Sequence, residues 1–246
     1  MPRTNANRMD EFFEAPSNLP ANPDLMADLL AEDLGGFEAT PVKIGIEHRS
    51  RCFMTADGHV ERSLTGIILL SQKTRVRFNE TDSKIDCLSA DHKTGTASDG
   101  TEISCATCPH NQWGSGGSKA KACKEQRKLL FLPEGWEIPA VIFLPPTSLR
   151  RFDRFASALV AQRKPLPSVV VTMRLEEART DGGAVFAKLA IEVARETTPE
   201  EFQNAVALRQ AFRRTLEDAV VDASVVEDGN GAADLTEVQF YNIRCY

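Results

Sequence analysis

Six cysteines lie along the chain: Cys52, Cys87, Cys105, Cys108, Cys123 and Cys245. Four of them fall in a polar, glycine-rich stretch over residues 80–125. Cys105-Ala106-Thr107-Cys108 is a C-x2-C knuckle, a spacing that lets two thiolates reach one metal from a tight turn. Cys87 lies 18 residues before the knuckle and Cys123 lies 15 after it. Four thiolates can fold such a stretch around tetrahedral Zn²⁺ where no apolar core is available. The spacing therefore predicts one structural zinc held by Cys87, Cys105, Cys108 and Cys123. His92 and His110 stand close enough in sequence to replace Cys87 or Cys123. Two widely spaced single cysteines do not favour an iron–sulfur cluster. The other reading is a set of free thiols with one redox pair at the knuckle. Cys52 sits in a strand pattern and reads as a small core residue.

Basic and aromatic residues surround the knuckle. Lys119, Lys121, Lys124, Arg127 and Lys128 follow it, and Trp113 stands among glycines and serines. Arg49 and Arg51 lie in an earlier strand pattern, and Lys73, Arg75 and Arg77 lead to Phe78 in another. Single-stranded nucleic acid is held by a cationic groove with aromatic faces on which bases stack. These residues, with Arg174, are the candidate nucleic-acid contacts. Trp113 has a second reading, as a cover packed over the metal site. Phe78 is equally a candidate for the core.

The elements that must position these groups are legible in outline. Residues 24–34 read as a short acidic amphipathic helix ended by Gly35-Gly36. Residues 41–54 alternate as a strand, a turn follows at Asp57-Gly58, and further strands are expected over about 63–71 and 73–79. Residues 80–125 are too long for an ordinary loop and read as an insertion or as disorder. Strands return at about 126–132 and 139–144. Thr147 is the expected N-cap of a helix over 148–163. Residues 168–179 alternate cleanly, with Arg174 on the polar side, and Asp181-Gly182-Gly183 turns the chain into a returning strand. Thr198-Pro199-Glu200-Glu201 is a capping-box start for a helix running to about 219.

Charge is segregated along the 246 residues, whose formal net charge is −6. Residues 1–40 carry 2 basic and 8 acidic groups, residues 41–195 carry 23 and 17, and residues 196–246 carry 4 and 10. A basic middle flanked by acidic ends can meet phosphates while the ends keep the molecule in solution. Three regions follow: an acidic arm with a short helix (1–40), a domain over 41–195 with a metal lobe inserted at 80–125, and a C-terminal helix with an acidic tail (196–246). No apolar run reaches the roughly 20 residues that span a membrane. No signal-peptide stretch opens the chain, so a cytoplasmic protein with reduced cysteines is expected.

The order strand, strand, insertion, strand, helix, strand, strand is that of an OB-fold, a five-stranded barrel with a helix between its third and fourth strands. An α+β sheet with helices on one face has the same order. The runs CATCPHNQWGS, KACKEQRKL, IPAVIFLPPTSLRRF and SVVVTMRLE resemble phage and prophage single-stranded-DNA-binding proteins with a zinc lobe inserted in an OB-fold. The resemblance covers about residues 40–195. It implies a five-stranded barrel with a zinc ribbon and flanking helices, and sequence-independent binding of single-stranded DNA in replication or recombination. It further implies one structural Zn²⁺ on the four cysteines, the basic strand residues as the DNA face, and an acidic C-terminal region that meets partner proteins. A phage-encoded protein of this kind would work in the cytoplasm or nucleoid of a bacterial host. The chain ends in NIRCY, without the acidic tip and final Phe of bacterial relatives.

Enzyme signatures are lacking. There is no P-loop, no G-x-S-x-G elbow and no H-E-x-x-H pair. A zinc deaminase needs H-x-E ahead of P-C-x-x-C, whereas the order here is C-x-x-C-P. Glu176 and Glu177 are adjacent, so in a strand they face opposite ways. The expectation is a non-enzymatic DNA-binding protein. The alternatives are a zinc-ribbon interaction subunit of a replication or transcription complex, or a metal-dependent nuclease.

Overall fold

A computed structural model describes residues 41–48, 50–55, 58–79, 84–117, 120–179, 183 and 185–218. The expected helix over 24–34, Arg49, Lys119 and the acidic tail lie outside them. Contacts divide the chain into Met1–Ala39 and Thr40–Tyr246, and the following concerns the second unit.

The unit mixes α and β structure and is mainly β. Its strands are β1 (Val42–Glu47), β2 (Cys52–Thr55), β3 (Val60–Glu61), β4 (Ser63–Phe78), β5 (Ile85–Ser89), β6 (Thr94–Ala97), β7 (Glu102–Ser104), β8 (Lys124–Pro133), β9 (Ala140–Leu144), β10 (Val169–Arg179) and β11 (Val185–Glu196). Among the described residues three α-helices accompany them: α1 (Pro146–Ala161), α2 (Pro199–Ala211) and α3 (Arg213–Asp218). All eleven strands join one sheet, in the order β3-β2-β1-β9-β8-β4-β5-β6-β7, with β10 on β4 and β11 on β10.

β4 is the spine. It pairs with β8 over Gly66–Val76, with β10 over its first half and with β5 over its last residues. The sequence pattern divides this run into two strands because its character changes midway. Ile67, Ile68 and Leu69 are buried on both faces, whereas Lys73, Arg75 and Arg77 alternate with smaller or apolar residues beyond them. Continuity through the change comes from β8, which pairs along both halves. At Gly66 the neighbouring strands close in so far that a Cβ would stand 2.1 Å from the Leu132 carbonyl oxygen, so only glycine fits.

Two apolar clusters lie on opposite faces. One gathers Ile44, Phe53, Ile68, Leu129, Phe131, Ile142, Met173 and Leu189 with Leu149, Phe152 and Leu159 of α1. The other gathers Ile67, Leu69, Leu130, Leu132, Val141, Phe143 and Val170 under Ala205 and Leu216 of α2 and α3. Burial of each large side chain contributes roughly 1.5–3 kcal/mol, so both layers hold the sheet.

Several expectations change. The strand expected over 41–54 is a hairpin, β1 against β2, reversed through a turn where Arg51 takes φ +55°. That turn carries neither Gly nor Pro, so the local pattern hides it. α1 starts two residues earlier than expected, with Pro145 at the N-cap position and Pro146 as its first residue. Thr147 is therefore inside the helix, and its hydroxyl has no hydrogen-bond partner among the described residues. The five strands expected of a barrel are part of a larger sheet that does not close among the described residues. The free edge of β9 is taken by β1, running parallel with Val42 opposite Ala140. The capping box at Thr198 and Glu201 forms as expected. Among the described residues no helix is long and apolar enough to cross a membrane.

Candidate functional site

The insertion between β4 and β8 is a small β-meander, β5–β6–β7, followed by a 3₁₀ turn at Pro109–Asn111. It has almost no apolar core of its own. Its fold instead converges on sulfur. Cys87, Cys105, Cys108 and Cys123 all line one cavity of about 10 Å³, together with Arg75, Ser89, Gly95, Ile103 and Asn111. That is room for one water-sized occupant. All four are free thiols. Neither His92 nor His110 lines the cavity.

Local backbone bonds bring the thiols there. Cys105 N–H donates to the Lys93 carbonyl at 2.7 Å, and Cys123 N–H donates to the His110 carbonyl at 2.9 Å. Cys87 stands opposite Arg77 of β4 and Ala97 of β6. Gly95 completes the cradle: a Cβ on it would lie 2.8 Å from Cys87 Sγ and 3.7 Å from Cys105 Sγ. Among the described residues, no group of three or more His, Cys, Asp or Glu side chains is disposed to hold a metal ion as it stands. A closed tetrahedron needs the thiols to draw together within the cavity.

Burial pushes the Cys123 thiol up to about 11, against the charge of Arg75, and Cys105, Cys87 and Cys108 push it the same way. Cys87 is also raised, first by burial and then by Cys105, against the charge of Arg77. For Cys87 and Cys123, burial and the neighbouring thiols thus favour the protonated form, and a cation among the four sulfurs would favour the thiolates.

The candidate nucleic-acid residues divide sharply. Trp113 is 78% exposed at the tip of the lobe, which rules out the reading of it as a lid packed over the cysteines. Lys121 Nζ stands 5.3 Å from its ring centroid and also donates to Asn111 Oδ1 at 3.2 Å. The basic residues of the sheet are mostly engaged by carboxylates. Lys73 meets Glu125 at 3.4 Å and Asp153 at 3.6 Å. Arg75 meets Glu125 at 2.7 Å and Arg77 meets Asp86 at 2.6 Å. Arg127 pairs with Asp153 and lies 4.9 Å from the centroid of Phe152. Arg51 pairs with Glu177, and Arg174 with Glu192 at 2.6 Å. Lys124 is half-buried at the start of β8. Phe78 packs with Phe212 on the cluster under α2 and α3.

Lys128 departs furthest from expectation. It is 1% exposed, and its ammonium donates to the carbonyls of Leu216 at 3.0 Å and Glu217 at 2.9 Å. It therefore meets the end of α3 and lies beneath the surface. Beside it on the same face, Thr74 and Gln126 stand opposite one another, both fully buried. The Thr74 hydroxyl and both Gln126 amide atoms have no hydrogen-bond partner among the described residues.

Sequence reasoning missed Asn111 and Gly95. Asn111 Nδ2 donates to the Cys105 carbonyl at 2.7 Å and so braces the knuckle. Its place three residues after Cys108 was the one available signal. Compared with models of known protein families, with curated proteins and with solved structures, the chain matches none.

Proposed function

We propose that the chain is a non-enzymatic single-stranded-DNA-binding protein, an OB-like sheet whose first loop has grown into a zinc-binding lobe. The observation that carries the reading is Trp113, held 78% exposed at the lobe tip with a lysine against its ring. An exposed aromatic face with a cation beside it is the element on which bases stack.

The connectivity supports it. β4, β8, β9, β10 and β11 follow the order of the five strands of an OB-fold, with α1 between the third and fourth. The pairs β4–β8, β8–β9, β4–β10 and β10–β11 are all formed, as in an OB barrel. The lobe then occupies the loop between the first and second strands, one of the loops by which OB-folds hold oligonucleotides. The outer side of β8 and β9 lies under α2 and α3, so the lobe and the β10–β11 end are where DNA has access. Coating of single strands in replication or recombination, and partner proteins at the acidic C-terminal region, follow the same reading.

The donor set suits zinc: four sulfurs, a glycine cradle and no apolar core nearby. Cys87, Cys105, Cys108 and Cys123 would hold the ion, which supplies folding energy and no reaction chemistry. The ion pairs across Lys73, Arg75, Arg77 and Arg127 favour a second reading, a zinc-ribbon subunit that binds protein. Titration of labelled oligo-dT against duplex of equal length at two salt concentrations separates the two. Binding to oligo-dT that exceeds duplex binding and weakens with salt is expected, because phosphate contacts release counterions. Equal or absent binding to both would exclude the DNA reading and leave the interaction subunit.

A further inference from the structure

Arg75 touches every segment that carries a cysteine of the lobe. Its Nε donates to the His92 carbonyl at 3.3 Å, between Cys87 and Cys105. Its Nη1 donates to Asn111 Oδ1 at 2.7 Å, just beyond Cys108. Its Nη2 meets Glu125 Oε2 at 2.7 Å, two residues beyond Cys123. Asn111 passes the contact on to the Cys105 carbonyl. The side chain is only 14% exposed and lines the same cavity as the four thiols.

From this geometry we infer that Arg75 is the positioning residue of the cysteine centre. It fixes the three segments on one guanidinium and supplies positive charge to a tetrathiolate ion. The inference rests on the zinc reading above and goes beyond it, because it moves Arg75 from DNA contact to metal support. Four thiolates outweigh a divalent ion, so the centre carries net negative charge in a partly desolvated site, and a nearby cation stabilises it. Arginine suits the task because its fork is planar, permanently charged and able to donate in three directions at once. Lysine keeps the charge but not the fork.

The test uses the full chain as purified. Zinc content is measured first, with Cys105→Ser as the metal-poor reference, and cobalt is then exchanged into the site. Zinc release to a chromogenic chelator is followed for wild type, Arg75→Gln, Arg75→Lys and, as a distant control, Arg174→Gln. Arg75→Gln should release zinc about 10–100-fold faster, the usual cost of losing an outer partner of a metal ligand. Its thiolate-to-cobalt charge-transfer band should shift to longer wavelength. Arg75→Lys should release zinc at an intermediate rate with a band near wild type, and Arg174→Gln should match wild type. Wild-type release from Arg75→Gln overturns the inference. So does equal loss from both Arg75 variants with an unshifted band, which would leave only a packing role. A wild-type chain that holds neither zinc nor cobalt removes the metal reading itself, a failure visible before any variant is compared.

Discussion

Trp113 and Thr74 show how one residue type can lie far from the place its chemistry prefers. Trp113 is a large apolar side chain left in solvent, in a turn with Lys121 against its ring. Trp113→Ala should therefore leave thermal stability unchanged and weaken oligo-dT binding by about 5–150-fold, the equivalent of roughly 1–3 kcal/mol for one stacked base. Unchanged affinity would remove Trp113 from the interface. Thr74 is the reverse, a hydroxyl buried without a partner among the described residues. Burying such a group costs about 1–3 kcal/mol, and valine has the same shape without the hydroxyl. Thr74→Val should raise unfolding stability by about 1 kcal/mol in urea melts. A loss of stability would mean that the hydroxyl has a partner in solution.

Elements follow local rules where their contacts are local. The start of α2 was legible because a capping box needs only four consecutive residues: Thr198 accepts from the Glu201 N–H, and Glu201 accepts from the Thr198 N–H at 2.8 Å. Arg195 then binds both Glu201 oxygens at 2.7 Å. That pair, followed by the Thr198 backbone, lowers Glu201 from 4.5 to about 2. A carboxyl depressed by folding stabilises the fold above its ordinary range and loses that contribution as pH falls toward the folded value. The stability gap between wild type and Glu201→Gln should thus be present at pH 6 and close between about 4.5 and 2. A gap that persists to pH 2 would refute the ion pair. The pair is exposed, so the gap is small. The β1–β2 hairpin and the continuity of β4 were not legible, since partner strands decide them.

At the scale of the molecule, the described residues of the basic middle pair much of their positive charge with carboxylates. Lys73, Arg75, Arg77 and Arg127 each meet a carboxylate, sharing Glu125, Asp86 and Asp153. Arg150 and Arg154, one turn apart on the exposed side of α1, have no carboxylate partner among the described residues. Sequence reasoning did not single them out. An acidic tail that competed with DNA for such cations would lower affinity at low salt. Deleting residues 222–246, which carry 5 acidic residues and 1 basic residue, should raise oligo-dT affinity at low salt and change it little at high salt, where screening removes the competition. Equal affinity at low salt would reject that competition.

The sequence by itself determined the features whose physics is short in range. The C-x2-C knuckle, the capping box at Thr198, the alternation through β10 and β11, and the lobe between two strands all follow from neighbouring residues. Only the tertiary structure decided where the charges go. Whether Arg75 meets a phosphate or the segments around His92, Asn111 and Glu125 depends on register between strands far apart in the chain. Whether Lys128 faces solvent or the end of α3 depends on a contact across 88 residues. A cation takes the acceptor that folding brings within reach, and that choice is made by non-local packing.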